Sequence, residues 1–87
     1  MASSIIQKPV KYFDVELAEE TYPVGSHLRF DVSLQTGETN INNRIGVFPI
    51  DLTAYYCAIN GNGRITVVNY GNATETRKVM IRVFYIN

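Results

Sequence analysis

The stretch HLRFDVSLQ, residues 27–35, decides the fold class. Leu28, Phe30, Val32 and Leu34 alternate strictly with Arg29, Asp31, Ser33 and Gln35. A period of two puts one set on each side of an extended chain, which is the pattern of a half-buried β-strand. Upstream, KYFDVEL at 11–17 repeats it, with Phe13, Val15 and Leu17 opposite Tyr12, Asp14 and Glu16. Between these two strands, Tyr22-Pro23-Val24-Gly25 reads as a turn, because proline presets its φ and glycine accepts a positive one. At most one short helix fits over 16–21.

Downstream the text stays β-like. TGETNINNR at 36–44 is a polar, asparagine-rich loop. Residues 45–52 are apolar but contain Pro49, which cannot donate to a ladder, so an edge strand, a bulge or a bend is expected there. Residues 53–59 read as a strand covered on both faces. Asn60-Gly61-Asn62-Gly63 is a hairpin turn, and 64–70 is the returning strand. Gly71-Asn72-Ala73-Thr74 turns the chain again, and 76–87 makes one long last strand. Six to seven strands at this spacing predict an all-β chain, a single small antiparallel β-sandwich or barrel spanning residues 1–87.

An 87-residue chain holds one core and buries only ~60–65% of its unfolded surface. Such domains gain stability from disulfides, metals or association. Cys57 is the lone cysteine and His27 the lone histidine, so an intrachain bridge and a four-ligand zinc site are both out of reach. Association remains. The last strand shows where: Val79, Ile81, Val83 and Tyr85 form a core face, yet Met80, Phe84 and Ile86 make the other face apolar too. That second face lies either under a loop, in a central strand, or against a neighbouring subunit; Met80, Phe84 and Ile86 are the candidate interface.

Eight basic and eight acidic residues, dispersed along the chain, cancel. No basic patch points to nucleic acid or to an anionic membrane. MASSIIQKPVKYF lacks the apolar core of a signal peptide, and no run reaches the ~20 residues of a membrane span, so a protein made in a cytoplasm is expected. Catalytic signals are weak. His27 opens a strand and Cys57 lies in the most apolar segment, so a Cys57–His27 pair stays open but a capping or surface histidine is the favoured reading, and Glu16, Glu19 and Glu20 read as a solvated turn. Gly61-Asn62-Gly63-Arg64 precedes no helix and is no phosphate loop. Asn72-Ala73-Thr74 matches a glycosylation acceptor, which carries little weight without a signal peptide. No cofactor is expected. The asparagines Asn40, Asn42, Asn43, Asn60, Asn62 and Asn72, with Tyr70, are candidate loop contacts for a glycan, against the competing reading that they simply shape turns.

Two resemblances arise. DLTAYYCA at 51–58 resembles the strand of an immunoglobulin variable domain that carries its second cysteine, with Asp51, Tyr55 and Cys57 in the matching places. The sequence has no tryptophan and no second cysteine, and too few residues precede the motif, so Cys57 is read as a small buried hydrophobe. NGNGRITVVNYGNATETRKVMIRVFYIN at 60–87 is similar to the closing hairpins of small all-β bacteriophage virion proteins, of the tail, fibre, appendage or head accessory type. The similarity lies in the Asn/Gly turn, the ITVVN strand, the GNATET turn and the long terminal strand. It implies a non-catalytic structural subunit of a virion, commonly trimeric, that meets other virion proteins or a host surface. The alternative is a small carbohydrate-binding β-module.

Overall fold

A computed structural model describes residues 9–50 and 52–87. The chain is all-β. Among the described residues the strands are β1 (Val10–Glu16), β2 (Glu20–Tyr22), β3 (His27–Phe30), β4 (Arg44–Pro49), β5 (Tyr55–Ile59), β6 (Ile65–Asn69), β7 (Glu75–Arg77) and β8 (Met80–Ile86). One sheet has the order β1–β8–β4, a second β3–β6–β5, and β2 pairs with β7 in a short ribbon, all antiparallel. Single 3₁₀ turns at Ile41–Asn43 and Gly61–Gly63 precede β4 and β6.

The alternation read at 11–17 and in the last strand is what fills the core. Ile81 and Val83 of the first sheet, with Leu17 and Val79 just beyond its strand ends, meet Tyr55, Cys57, Ile65 and Val67 of the second, all buried. Phe13, Val15, Leu28, Phe30 and Val47 pack around them, half-buried. Cys57 lies inside this core as a free thiol, and burial pushes it up to about 12. At neutral pH that leaves almost no thiolate. Asp51 lies outside the described residues.

Three expectations change in the structure. The strand read over 27–35 pairs only as far as Phe30, because its partner β6 begins at Ile65, directly opposite. Beyond that point β6 has given way to the Gly61–Gly63 turn, so Val32 and Ser33 have no ladder to join. The long last strand is two strands, β7 and β8, divided at Lys78 and Val79. Across the break Leu17 N–H donates to Val79 O at 2.8 Å, and the register slips by one residue between Glu16↔Met80 and Glu20↔Arg77. A two-against-three mismatch of that kind bends a ribbon; here it turns the chain out of the first sheet. Finally, residues 53–59 are not covered on both faces: β5 is an edge strand, and Tyr56 is 56% exposed.

Other features lie where their chemistry put them. Pro49 ends β4, an edge strand with a bulge between Arg44 and Gly46. Asn62 and Gly63 take φ of 69° and 72° in the β5–β6 turn, and Asn60 N–H closes it onto Arg64 O at 2.8 Å. Gly63 is required twice over: a Cβ there would lie 2.7 Å from Ile41 O. The turn after β2 sits one residue later than read, Ser26 N–H donating to Pro23 O with Gly25 at φ 82°. That shift moves Tyr22 out of the turn and into the core.

Tyr22 is fully buried, edge-on to Tyr55 with ring centroids 5.5 Å apart. Among the described residues its hydroxyl finds no hydrogen-bond partner, whereas Tyr55 Oη donates to Glu75 Oε1 at 2.6 Å. An unpaired buried hydroxyl costs free energy and a paired one gains it. Tyr22→Phe is therefore expected to hold or raise stability by up to about 1 kcal/mol, and Tyr55→Phe to lower it by about 1.5 kcal/mol. Urea unfolding of the two variants beside the parent checks the opposite signs.

Candidate functional site

The outward face of the first sheet gathers apolar side chains from all three of its strands. β8 is its central strand, so the face it turns outward is flanked by β1 and β4 and does not lie at an edge. Phe84 stands opposite Tyr12 on one side and Gly46 on the other. Its ring is 5.9 Å from that of Tyr12 and 5.5 Å from that of Phe48. Phe48 reaches Phe84 from two residues along β4, opposite Arg82, and the space above Gly46 stays open. Met80 extends the patch toward Glu16, and Ile86 extends it toward Val10, their ladder partners.

Among the described residues one ion pair joins β1 and β8 across this face. Arg82 donates from Nε to Asp14 Oδ1 at 2.7 Å and from Nη2 to Oδ2 at 2.9 Å, while its guanidinium lies 4.3 Å from the centre of the Tyr12 ring. The hydrogen bond from Arg82 holds the Asp14 carboxyl below its ordinary value. The face is thus aromatic and aliphatic with its charge neutralised internally. Met80 is 38% exposed, Phe48 44% and Tyr12 55%, so the patch is open to contact. Met80, Phe84 and Ile86 lie together on it, as their spacing indicated. Tyr12 and Phe48 were missed; the signal that finds them is strand pairing, which no single-strand pattern contains.

The candidate loop contacts divide into two groups. Asn40, Asn42 and Asn43 lie in the Ile41–Asn43 turn, which touches the Gly61–Gly63 turn carrying Asn60 and Asn62. Tyr70 and Asn72 follow the other end of β6, ~15 Å away along the strand. The Tyr70 ring lies tilted beside that of Tyr56, centroids 6.4 Å apart, far from the first asparagine group. Several of these amides are engaged in shaping turns. Asn40 Oδ1 accepts the Asn42 N–H at 2.9 Å, Asn43 Nδ2 donates to Thr39 Oγ1 at 3.5 Å, and Asn60 Nδ2 donates to Thr66 Oγ1.

Beside the first group runs a groove of about 500 Å³ lined by residues 31–34, Ile41 and residues 62–64. Asp31 and Arg64 pair across its rim at 2.8 Å. Its framework is Arg44, which the sequence suggests is the last residue of a polar loop and which is in fact buried. Nε and Nη2 grip the two Glu38 oxygens at 2.8 and 2.7 Å. Nη1 donates to Val32 O at 2.8 Å and Gly63 O at 3.0 Å, and Nη2 also to Ser33 O at 3.0 Å. All five guanidinium donors are used. Burial alone pushes the Glu38 carboxyl up, but hydrogen bonds from Arg44 and from the Gln35 N–H outweigh it and hold the group below its ordinary value.

A cysteine–histidine pair is not assembled. Cys57 and Leu28 both stand in line with Val67 on the core side of the second sheet, and His27 stands opposite Val68 on its outer side. Among the described residues no three His, Cys, Asp or Glu side chains converge as metal ligands would, and no helix is long and apolar enough to cross a membrane. Comparison with known proteins finds no family model, no curated protein and no solved structure that matches this chain.

Arg44→Met strands a buried carboxylate and three carbonyl oxygens, and is expected to cost about 3–5 kcal/mol. Because those carbonyls stay unpaired, adding Glu38→Leu should not restore the parent's stability; unfolding of the single and double variants checks this. The acid limb follows from the carboxyls. Glu38 and Asp14 both titrate lower folded than unfolded, so their contribution is complete above the unfolded values near 4.5 and 3.8. It is lost as pH falls through the folded values. The urea midpoint should be level near neutrality and drop below pH 4.5, which an unfolding series across pH checks.

Proposed function

We propose that this chain is a non-catalytic structural subunit of a bacteriophage particle that associates through the outward face of β1–β8–β4 with a second copy of itself. The observation that carries the reading is the apolar cluster in which half-buried Phe84 and exposed Met80 of the central strand β8 join exposed Tyr12 of β1 and Phe48 of β4. A small domain with one free, buried cysteine has little else to add to its stability. A like copy suits the face because Asp14 and Arg82 already neutralise each other on it, and the chain's formal net charge is zero. Two such faces meet without like-charge repulsion. The likeness of residues 60–87 to phage virion hairpins supports the particle as the setting. The carbohydrate-binding alternative has less behind it, since Tyr70 and Asn72 lie apart from Asn40, Asn42, Asn43, Asn60 and Asn62, which would share the ligand.

Sedimentation and thermal melting at successive dilutions test the reading. Self-association predicts a mass above that of one chain and a melting point that falls on dilution. Phe84→Asp should weaken association at least ~10-fold, as loss of a central aromatic anchor does. Met80→Lys, at a more exposed position, should do so with the fold intact. A chain that sediments as a monomer and melts at the same temperature at every concentration contradicts the proposal. Association only after mixing with other virion proteins would replace the second copy with one of them.

A further inference from the structure

The outward face is small for a stable contact. Three strands of six or seven residues, spaced ~4.8 Å apart, cover at most roughly 24 by 14 Å in projection. That is well below the ~800 Å² that each partner of a standard interface buries. A second contact is needed, and the sheet edges supply one.

Exposed strand edges are ordinarily blunted by shortness, proline, a bulge or charged side chains. Most edges here follow that rule. β2 and β7 have three residues each and β3 has four. β4 carries a bulge, ends in Pro49 and lies against β5. β1 is blunted only by charge, and two of its three charges are already paired within the chain, Asp14 with Arg82 and Glu16 with Lys78, leaving Lys11. It runs seven residues with neither proline nor bulge, paired to β8 at every position, and among the described residues nothing pairs with its other edge. Its inward row is correspondingly under-covered: Phe13 and Val15 remain half-buried, while their ladder partners Val83 and Ile81 are wholly buried.

We infer that the free edge of β1 pairs antiparallel with β1 of a second copy, joining two three-stranded sheets into one of six. A two-fold axis normal to the sheet keeps core side with core side, so only pairings within one face are allowed. Full overlap of the seven residues satisfies this. It sets Phe13 against Phe13 on the inward side, completing the cover of both. Lys11 falls opposite Val15 of the other copy and lays its aliphatic stem along it. On the outward side Tyr12 faces Asp14 and Val10 faces Glu16, so no like charges stand opposite one another. Moving the register by one step in one direction would set Asp14 against Asp14. The joined sheet also doubles the outward apolar face, which brings it toward the size that face-to-face packing requires. Copies then come in even numbers, in place of the three that the resemblance implies. The inference rests on the proposed self-association only for the identity of the partner.

Cross-linking tests the register in the full chain. Opposed residues on antiparallel strands have Cα atoms ~4.5–5.5 Å apart, within disulfide range. Val10 and Glu16 are both exposed, and Cys57 is buried. The double variant Val10→Cys/Glu16→Cys should therefore give a covalent dimer on mild oxidation. Neither single variant should, since two copies of position 10, or of position 16, lie ~20 Å apart in this pairing. Within one chain the same separation prevents a bridge. Hydrogen exchange of the parent gives a second readout: alternate amides of β1 should be protected at high concentration and exchange on dilution. A double variant that fails to cross-link where the parent is oligomeric overturns the edge pairing, and so do single variants that cross-link equally well. In that case, oligomers that Phe84→Asp dissociates leave the face contact standing; a parent that is monomeric throughout removes both.

Discussion

One guanidinium holds together the loop end of this protein. Arg44 supplies five N–H donors in a fixed plane, and the fold brings five acceptors to them, two from Glu38 and three from the backbone of Val32, Ser33 and Gly63. These acceptors belong to the segment after β3, the turn at Gln35–Glu38 and the β5–β6 turn. A buried ion pair is in itself weak evidence of stability, because desolvation offsets most of the attraction. What Arg44 adds is definition. The carbonyls of an irregular segment have no ladder to join, and burying them unpaired would cost more than the pair gains. The path of the segment after β3 and the wall of the groove follow from where this side chain sits.

Asn69 plays the corresponding part at the other end of β6. It is nearly inaccessible, and its Nδ2 donates to Tyr22 O at 3.0 Å and to Ala73 O at 2.9 Å, while its Oδ1 accepts the Gly71 N–H at 2.8 Å. Its backbone carbonyl accepts the Gly25 N–H. One planar amide thus secures the turn after β2 and the turn after β6 together. Between these two polar clamps β6 runs wholly buried. Both ends of the central strand are thereby set, and the outward face of the opposite sheet is left free of structural duty. Its aromatic surface and the adjoining β1 edge are the features available for meeting other chains.

Much of the architecture was legible because strand patterning is a local property. The alternations of Phe13, Val15, Leu17 and of Val79, Ile81, Val83, Tyr85 mark core faces without knowledge of partners. Asn60 to Gly63 declare a turn through backbone conformations few other residues accept. Met80, Phe84 and Ile86 were found the same way, as an apolar row with no use in a one-sided strand. Tyr12 and Phe48 were not, because each becomes part of the patch only through β8 lying between them. Arg44, Glu38 and Asn69 were missed for a related reason. Polar residues in loop-like text are ordinarily solvated, and only convergence of distant segments makes them interior.

The amino-acid sequence by itself determined the all-β class, the inward rows, the tight turns and the presence of a surplus apolar row. These depend on periods of two and on φ preferences acting over a few residues. Tertiary structure alone decided how far each strand runs, which strand is central, and which polar side chains are buried. Those outcomes depend on where a partner strand begins and ends. The alternation of 27–35 continues to Leu34, but a ladder extends only as far as its neighbour does, and β6 begins opposite Phe30.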